Sequence, residues 1–167
     1  MSLESSTGLG VLSSYGPRAI EGKFGGQTAD EVVKHVVYDF DYTDLNSTSA
    51  AAVQGLDYVF PVGTAFLRAK IVVETAVVGP TNITVGTYLA SDGTTAINAT
   101  GLFAATAVTA LDAIGDVVDG AGAQLTTGTT AANGALQSAA VIRVLPTVAV
   151  ATAGKFKLYV SYLAPTA

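Results

Sequence analysis

Period-two alternation of apolar and polar residues marks several stretches of this chain as half-buried β-strands. In VVKHVVYDFDYTDL, Tyr38, Phe40 and Tyr42 alternate with Asp39 and Asp41, which puts aromatic rings on one face and carboxylates on the other. LDYVFPVG reads as a short strand halted by Pro61. AFLRAKIVVETAVV alternates again: Leu67, Ala69, Ile71, Val73 and Thr75 form the expected core face, and Phe66, Arg68, Lys70, Val72 and Glu74 the outward one. A turn follows at VVGPTN, where Pro80 fixes φ and Asn82 tolerates a tight backbone. ITVGTYLA is the next strand, and the SDG triplet at Ser91 to Gly93 makes a turn.

The stretch from Thr94 to Thr130 is less regular. AVTALDAIGD predicts a short helix ended by Gly115, with Val108, Leu111 and Ile114 spaced along one face. GAGAQLTTGTTAANGA is low in complexity and reads as loop or irregular edge strand. AAVIRVLPTVAVA and KFKLYVSYLA are β-branched runs joined through TAGK, and their spacing predicts an antiparallel hairpin. In the second run Phe156, Leu158, Val160 and Tyr162 share one face, and Lys155, Lys157, Tyr159 and Ser161 the other. Seven or eight strands without a βαβ rhythm predict an all-β fold, an antiparallel β-sandwich of jelly-roll or related Greek-key type, over residues 30–167. Residues 1–29 are rich in Ser and Gly and lack periodicity. They predict an extended N-terminal arm with Tyr15, Ile20 and Phe24 as anchors on a neighbouring subunit.

Composition narrows the function. Charged residues make up 13% of the chain against 50% apolar, about half the usual charged fraction, so part of the surface is expected to meet other subunits. A net charge of -5, and no Lys or Arg between Lys70 and Arg143, speak against a phosphate backbone as partner: no nucleic acid is expected. No run approaches the ~20 apolar residues of a membrane helix, so no membrane is expected either. The start MSLESSTGLGVLSSYG lacks a basic segment and an apolar core, which predicts synthesis in a cytoplasm. With no cysteine, disulfides and thiolate metal sites are absent.

Little in the chain points to catalysis. His35 is the sole histidine, and GxSxG and phosphate-loop motifs are missing, so no enzyme activity, catalytic residue or cofactor is predicted. Asp39, Asp41 and Asp44 are candidate oxygen ligands for a hard cation such as calcium, although a solvated strand face meeting Lys or Arg explains the same spacing. Asp112, Asp116 and Asp119 form a looser acidic set read as surface. The sequons at Asn46, Asn82 and Asn98 fall in a Thr-rich background and are read as chance. Tyr38, Phe40, Tyr42 and Tyr58 could form a sugar-stacking platform, with core or interface packing as the other reading.

The Gly-rich leading stretch SYGPRAIEGKFGGQ, followed by a Val/Thr-rich sandwich in a small, acidic, cysteine-free chain, resembles the head decoration (cement) proteins of tailed bacteriophages. The resemblance is one of overall style and carries no functional residue across. It implies a homo-oligomer, a trimer, on the capsid exterior of the virion, bound to the major capsid protein. The alternatives are another virion component (tail, fibre or capsid subunit) and a carbohydrate-binding adhesion module.

Overall fold

The computed structural model describes residues 33–49, 58–125 and 135–164. These belong to a compact unit that starts at Val33. The arm anchors Tyr15, Ile20 and Phe24 lie outside the described residues. The unit is an all-β sandwich with seven strands: β1 Lys34–Asp41, β2 Ala65–Val78, β3 Asn82–Leu89, β4 Ala96–Ala107, β5 Val117–Asp119, β6 Ala140–Thr147 and β7 Ala153–Leu163. They form a four-stranded sheet in the order β1-β7-β2-β5 and a three-stranded sheet in the order β4-β3-β6. Every strand pairing in both sheets is antiparallel.

Alternation decides which side chains meet between the sheets. From the first sheet come Tyr38, Phe40, Ile71, Val73, Phe156, Leu158 and Val160; from the second come Ile83, Val85, Phe103, Ile142 and Val144, all in one buried cluster. At the edge of this layer the aromatic rings tile closely. Phe60 sits 5.0 Å from Phe66 and 5.0 Å from Tyr162, both edge-on, and Phe40 stacks on Phe156 at 5.3 Å.

Several sequence expectations shift. Phe66 is buried although strict alternation places it on the charged face, because the register of β2 against β7 slips between Phe66 and Arg68. A bulge of this kind lets two residues oppose one and re-aims the side chain before it. Two further slips, after Val73 and after Thr75, turn Thr75 outward and bring Val77 back inside. LDYVFPVG contributes a single bridge, Phe60 to Ala140, where a strand was expected; its first two residues lie outside the described set. The helix expected in AVTALDAIGD is a short 3-10 helix, Val108–Ala110, followed by bends. Leu111 is buried there but Ile114 is 78% exposed, so their spacing does not make one face. Gly115 does adopt a positive φ of 88°.

The expected hairpin between the last two long runs does not form. β6 pairs with β3, and β7 pairs with β1 and β2 in the other sheet, so the link between β6 and β7 crosses from one sheet to the other. Apart from the Phe60 bridge at Ala140, β6 borders only β3 among the described residues, and an edge strand can accommodate Pro146 where a central strand could not.

β4 was not anticipated as a strand. While β3 advances from Val85 to Thr87, its partner β4 runs from Phe103 back to Asn98, so the extra residues loop out. Gly86 lies directly beneath that excursion, and a side chain there would run into the backbone of Ala99. Gln124 fastens the excursion from the other side. Its Oε1 accepts a 2.7 Å hydrogen bond from Thr87 Oγ1, with both residues buried.

Replacing Gly86 by Ala is therefore expected to destabilise the fold by about 1–3 kcal/mol, since the Ala99 backbone cannot yield as a side chain would. Urea denaturation measures it, and a variant as stable as the parent would refute the packing described.

Candidate interaction surface

Charge is unequally divided between the sheets. β3, β4 and β6 carry one charged residue among them, Arg143. Its guanidinium is drawn inward, with Nε donating to Gly93 O at 3.2 Å. The remaining strand charges belong to the four-stranded sheet, and all but Lys34, which shares the parity of Tyr38 and Phe40 at the start of β1, project from its outer face. There they pair across strands. Glu74 is held by Lys155 at 3.1 Å and by Lys157 at 3.3 Å, and Lys157 also reaches Asp39 at 3.3 Å. Asp119 is held by Arg68 at 2.9 Å and, more loosely, by Lys70 at 3.7 Å. Hydrogen bonds from Lys155 and Lys157 lower the pKa of Glu74, and the one from Arg68 lowers that of Asp119. Glu74 and Asp39 raise that of Lys157. Exposed pairs like these contribute little stability each. Their main effect is to leave the face nearly neutral: Arg68, Lys70, Lys155 and Lys157 are offset by Asp39, Asp41, Glu74 and Asp119.

The candidate cation ligands are used in the chain itself. Asp39 pairs with Lys157. Asp41 and Asp44 form a reciprocal capping box around the 3-10 helix Tyr42–Leu45: Thr43 N donates to Asp41 Oδ1 at 3.1 Å, and Asp41 N donates to Asp44 Oδ2 at 2.9 Å. Among the described residues no group of three or more His, Asp or Glu side chains converges on a point where a metal could sit. Asp92, in the Ser91–Gly93 turn, accepts from Thr95 Oγ1 at 2.6 Å and from the backbone of Thr94 and Thr95, which pulls its pKa down to about 2.

His35 Nδ1 lies 2.9 Å from Ser161 Oγ on the exposed outer sheet face. A hydrogen bond orienting the other ring nitrogen is not found among the described residues, so the pair lacks the third member of a nucleophilic triad. The suggested sugar platform is dispersed. Tyr38 and Phe40 are buried in the core. Tyr42 is exposed beyond the end of β1, while Tyr58 stands at the opposite end of the sandwich with its hydroxyl against that of Tyr162. Among the described residues no helix is long and apolar enough to cross a membrane.

The two ends of the sandwich differ. At one end lie the β2–β3 turn, the close of β4 and the β6–β7 link, and residues 76–82, 104–111 and 146–154 contain no charged side chain. The loops are laced together: Thr81 N donates to Thr147 O at 3.1 Å, Thr152 N to Val78 O at 2.8 Å and Ala151 N to Leu45 O at 3.1 Å. Gly79, at φ 116°, has no room for a side chain because the Val150 carbonyl presses against it. Val78, Val148 and Val150 are exposed, and Val148 is 85% exposed at a φ of 73°. The left-handed region is costly for a β-branched residue, by roughly 1–2 kcal/mol, and solvent returns nothing for it. No sequence reading singled out these valines. The available signal was the uncharged run PTVAVATAG, with more valine than an exposed link needs.

No family model and no curated protein matches the chain. It is similar to a chain in the capsid of Ralstonia phage GP4, at 19% identity over 85% of this chain and 90% of that one, with a TM-score of 0.49. It is also similar to a chain of the cyanophage Pam1 capsid asymmetric unit, at 21% identity over 84% of this chain and 90% of that one, with a TM-score of 0.46. At those scores the likeness is one of outline and does not by itself say what the chain does.

Tyr58 and Tyr162, at the other end, give a test of the packing. Burial first, and then the hydrogen bond with Tyr58, push the Tyr162 hydroxyl up to about 12, so the folded state holds its proton more tightly than the unfolded chain. Stability is then complete below the ordinary tyrosine pKa of ~10 and falls as pH rises from there towards 12. Alkaline titration of unfolding should show this loss, and Tyr162→Phe should flatten it. An equally steep loss in the variant would refute the assignment.

Proposed function

We propose that this chain is a structural protein of a tailed-phage virion: a decoration, or cement, protein that binds the outside of the head as a homotrimer and ties major capsid subunits together. It works by contact and not by catalysis. One observation carries the reading, the partition of charge. A sandwich whose second sheet holds one charged residue, itself part-buried against Gly93, presents a weakly polar surface, and such surface is normally covered by other chains. The paired ions of the first sheet keep the remaining face soluble without a strong field, which suits many copies crowded on one shell. A specific contact of about 1,200–2,000 Å² suffices for stable association.

The adhesion-module alternative loses its structural basis, because the four rings that would stack on sugar are split between the core and opposite ends. The paired His35 and Ser161 give an acyl-transfer reading no orienting acid.

The test uses heads of the phage that carries the chain, prepared without it. Purified protein should bind them to saturation and raise the temperature at which they release DNA by several degrees. Light scattering should give a trimer. A protein that remains in the supernatant and leaves head stability unchanged would overturn the proposal.

A further inference from the structure

We propose that Tyr58 and Tyr162 form an oxidative coupling site, at which a one-electron oxidant joins the two phenol rings through a carbon–carbon bond. The site is independent of the virion reading above. Composition gives the first support. The chain has no cysteine, no tryptophan and one methionine, against seven tyrosines. The sulfur side chains that usually absorb oxidising equivalents are therefore nearly absent. Tyrosine is then the side chain that gives up an electron most easily. Geometry gives the second. The hydroxyls of Tyr58 and Tyr162 are hydrogen-bonded to each other, and their ring centroids lie 6.1 Å apart. Phenols couple through the carbons ortho to the hydroxyl, so rings that meet hydroxyl to hydroxyl need only a small rotation to bring those carbons together. Both rings lean on the fully buried Phe60, whose centroid is 4.8 Å from that of Tyr58 and 5.0 Å from that of Tyr162. A pair held in place before it reacts has the advantage of an intramolecular step. Among the described residues no other two tyrosine rings are in contact.

Access gives the third. Tyr58 is 41% exposed and Tyr162 only 3%, so an oxidant in solution meets Tyr58 first. Tyr58 loses an electron, and its phenolic proton leaves to water. Tyr162 refills Tyr58 across their contact, and a second oxidation of Tyr58 leaves a radical on each ring. The radicals bond ortho to ortho, and each ring regains its aromaticity as the hydrogen at the new bond moves to the oxygen. Two electrons and two protons are lost in all, which turns one hydrogen peroxide into two waters. The new bond spans 104 positions of the chain. It ties β7 of the first sheet to the segment that reaches the second, where Phe60 N donates to Ala140 O at 2.8 Å. Closing so long a loop restricts the unfolded chain and stabilises the folded one.

The test treats the full chain with a peroxidase and hydrogen peroxide. The main product should keep the mass of a single chain less two hydrogens and show the blue fluorescence of coupled phenols. Proteolysis should yield one linked peptide pair, carrying Tyr58 and Tyr162, and the product should melt about 5 °C or more above the untreated chain. Tyr58→Phe removes a part-exposed hydroxyl and leaves the core intact, and it should abolish the product. Tyr159→Phe, on the ion-paired face, should leave the yield unchanged. In concentrated urea the same treatment should scatter the coupling among the tyrosines. Covalent oligomers as the main product, a linked pair other than Tyr58 and Tyr162, or full fluorescence in Tyr58→Phe would overturn the site. So would oxygen addition to single tyrosines without coupling.

Discussion

One apolar layer, shared between a four-stranded and a three-stranded sheet, sets the terms for everything outside it. Ile71, Val73, Phe156 and Leu158 press against Ile83, Val85, Ile142 and Val144, and neither sheet could hide its inner face without the other. At about 25 cal/mol per Å² of apolar surface removed from water, this layer outweighs the handful of exposed ion pairs many times over. It also takes close to every second position of the strands that form it, which leaves charged side chains the outer faces and the loops. Most of the charges on the described strands gather on one outer face, where opposite signs sit side by side.

Some of this architecture was legible from residue order. β1 and β7 alternate cleanly, and the rings and charges on their two faces lie where alternation puts them. Phe66 was misplaced because a single slip in register inverts the face of whatever precedes it, and no local feature of AFLR announces the slip. β6 and β7 look like hairpin partners since adjacency in sequence is the usual guide, yet nothing in either strand states which sheet it joins. β4 escaped notice because its Ala, Thr and Gly have low strand preference and its alternation is broken by the excursion at residues 99–102. The interaction surface was half legible. The low charged fraction of the whole chain already implied a surface that meets other subunits, without saying where it lies. The conformation of Val148 could not be foreseen, because valine ordinarily signals extended chain.

The two surfaces differ in how their polar groups are satisfied. On the ion-paired face Asp39, Glu74, Asp119 and the four cations beside them already have partners within the molecule, so an incoming protein would have to compete with bonds that exist. At the valine end backbone hydrogen bonds between the loops take the place of ion pairs. The capping box of Asp41 and Asp44 contributes to this division, since it spends two carboxylates on holding the Tyr42–Leu45 turn and lets Leu45 anchor the neighbouring link through its carbonyl.

Pro146 bears on a different hazard. Open sheet borders invite neighbouring molecules to add rung after rung, which is how concentrated β-proteins turn into fibres. A pyrrolidine ring on the β6 border makes that margin a poor template. Molecules of this kind can be produced in quantity and held close together while their sheets remain separate.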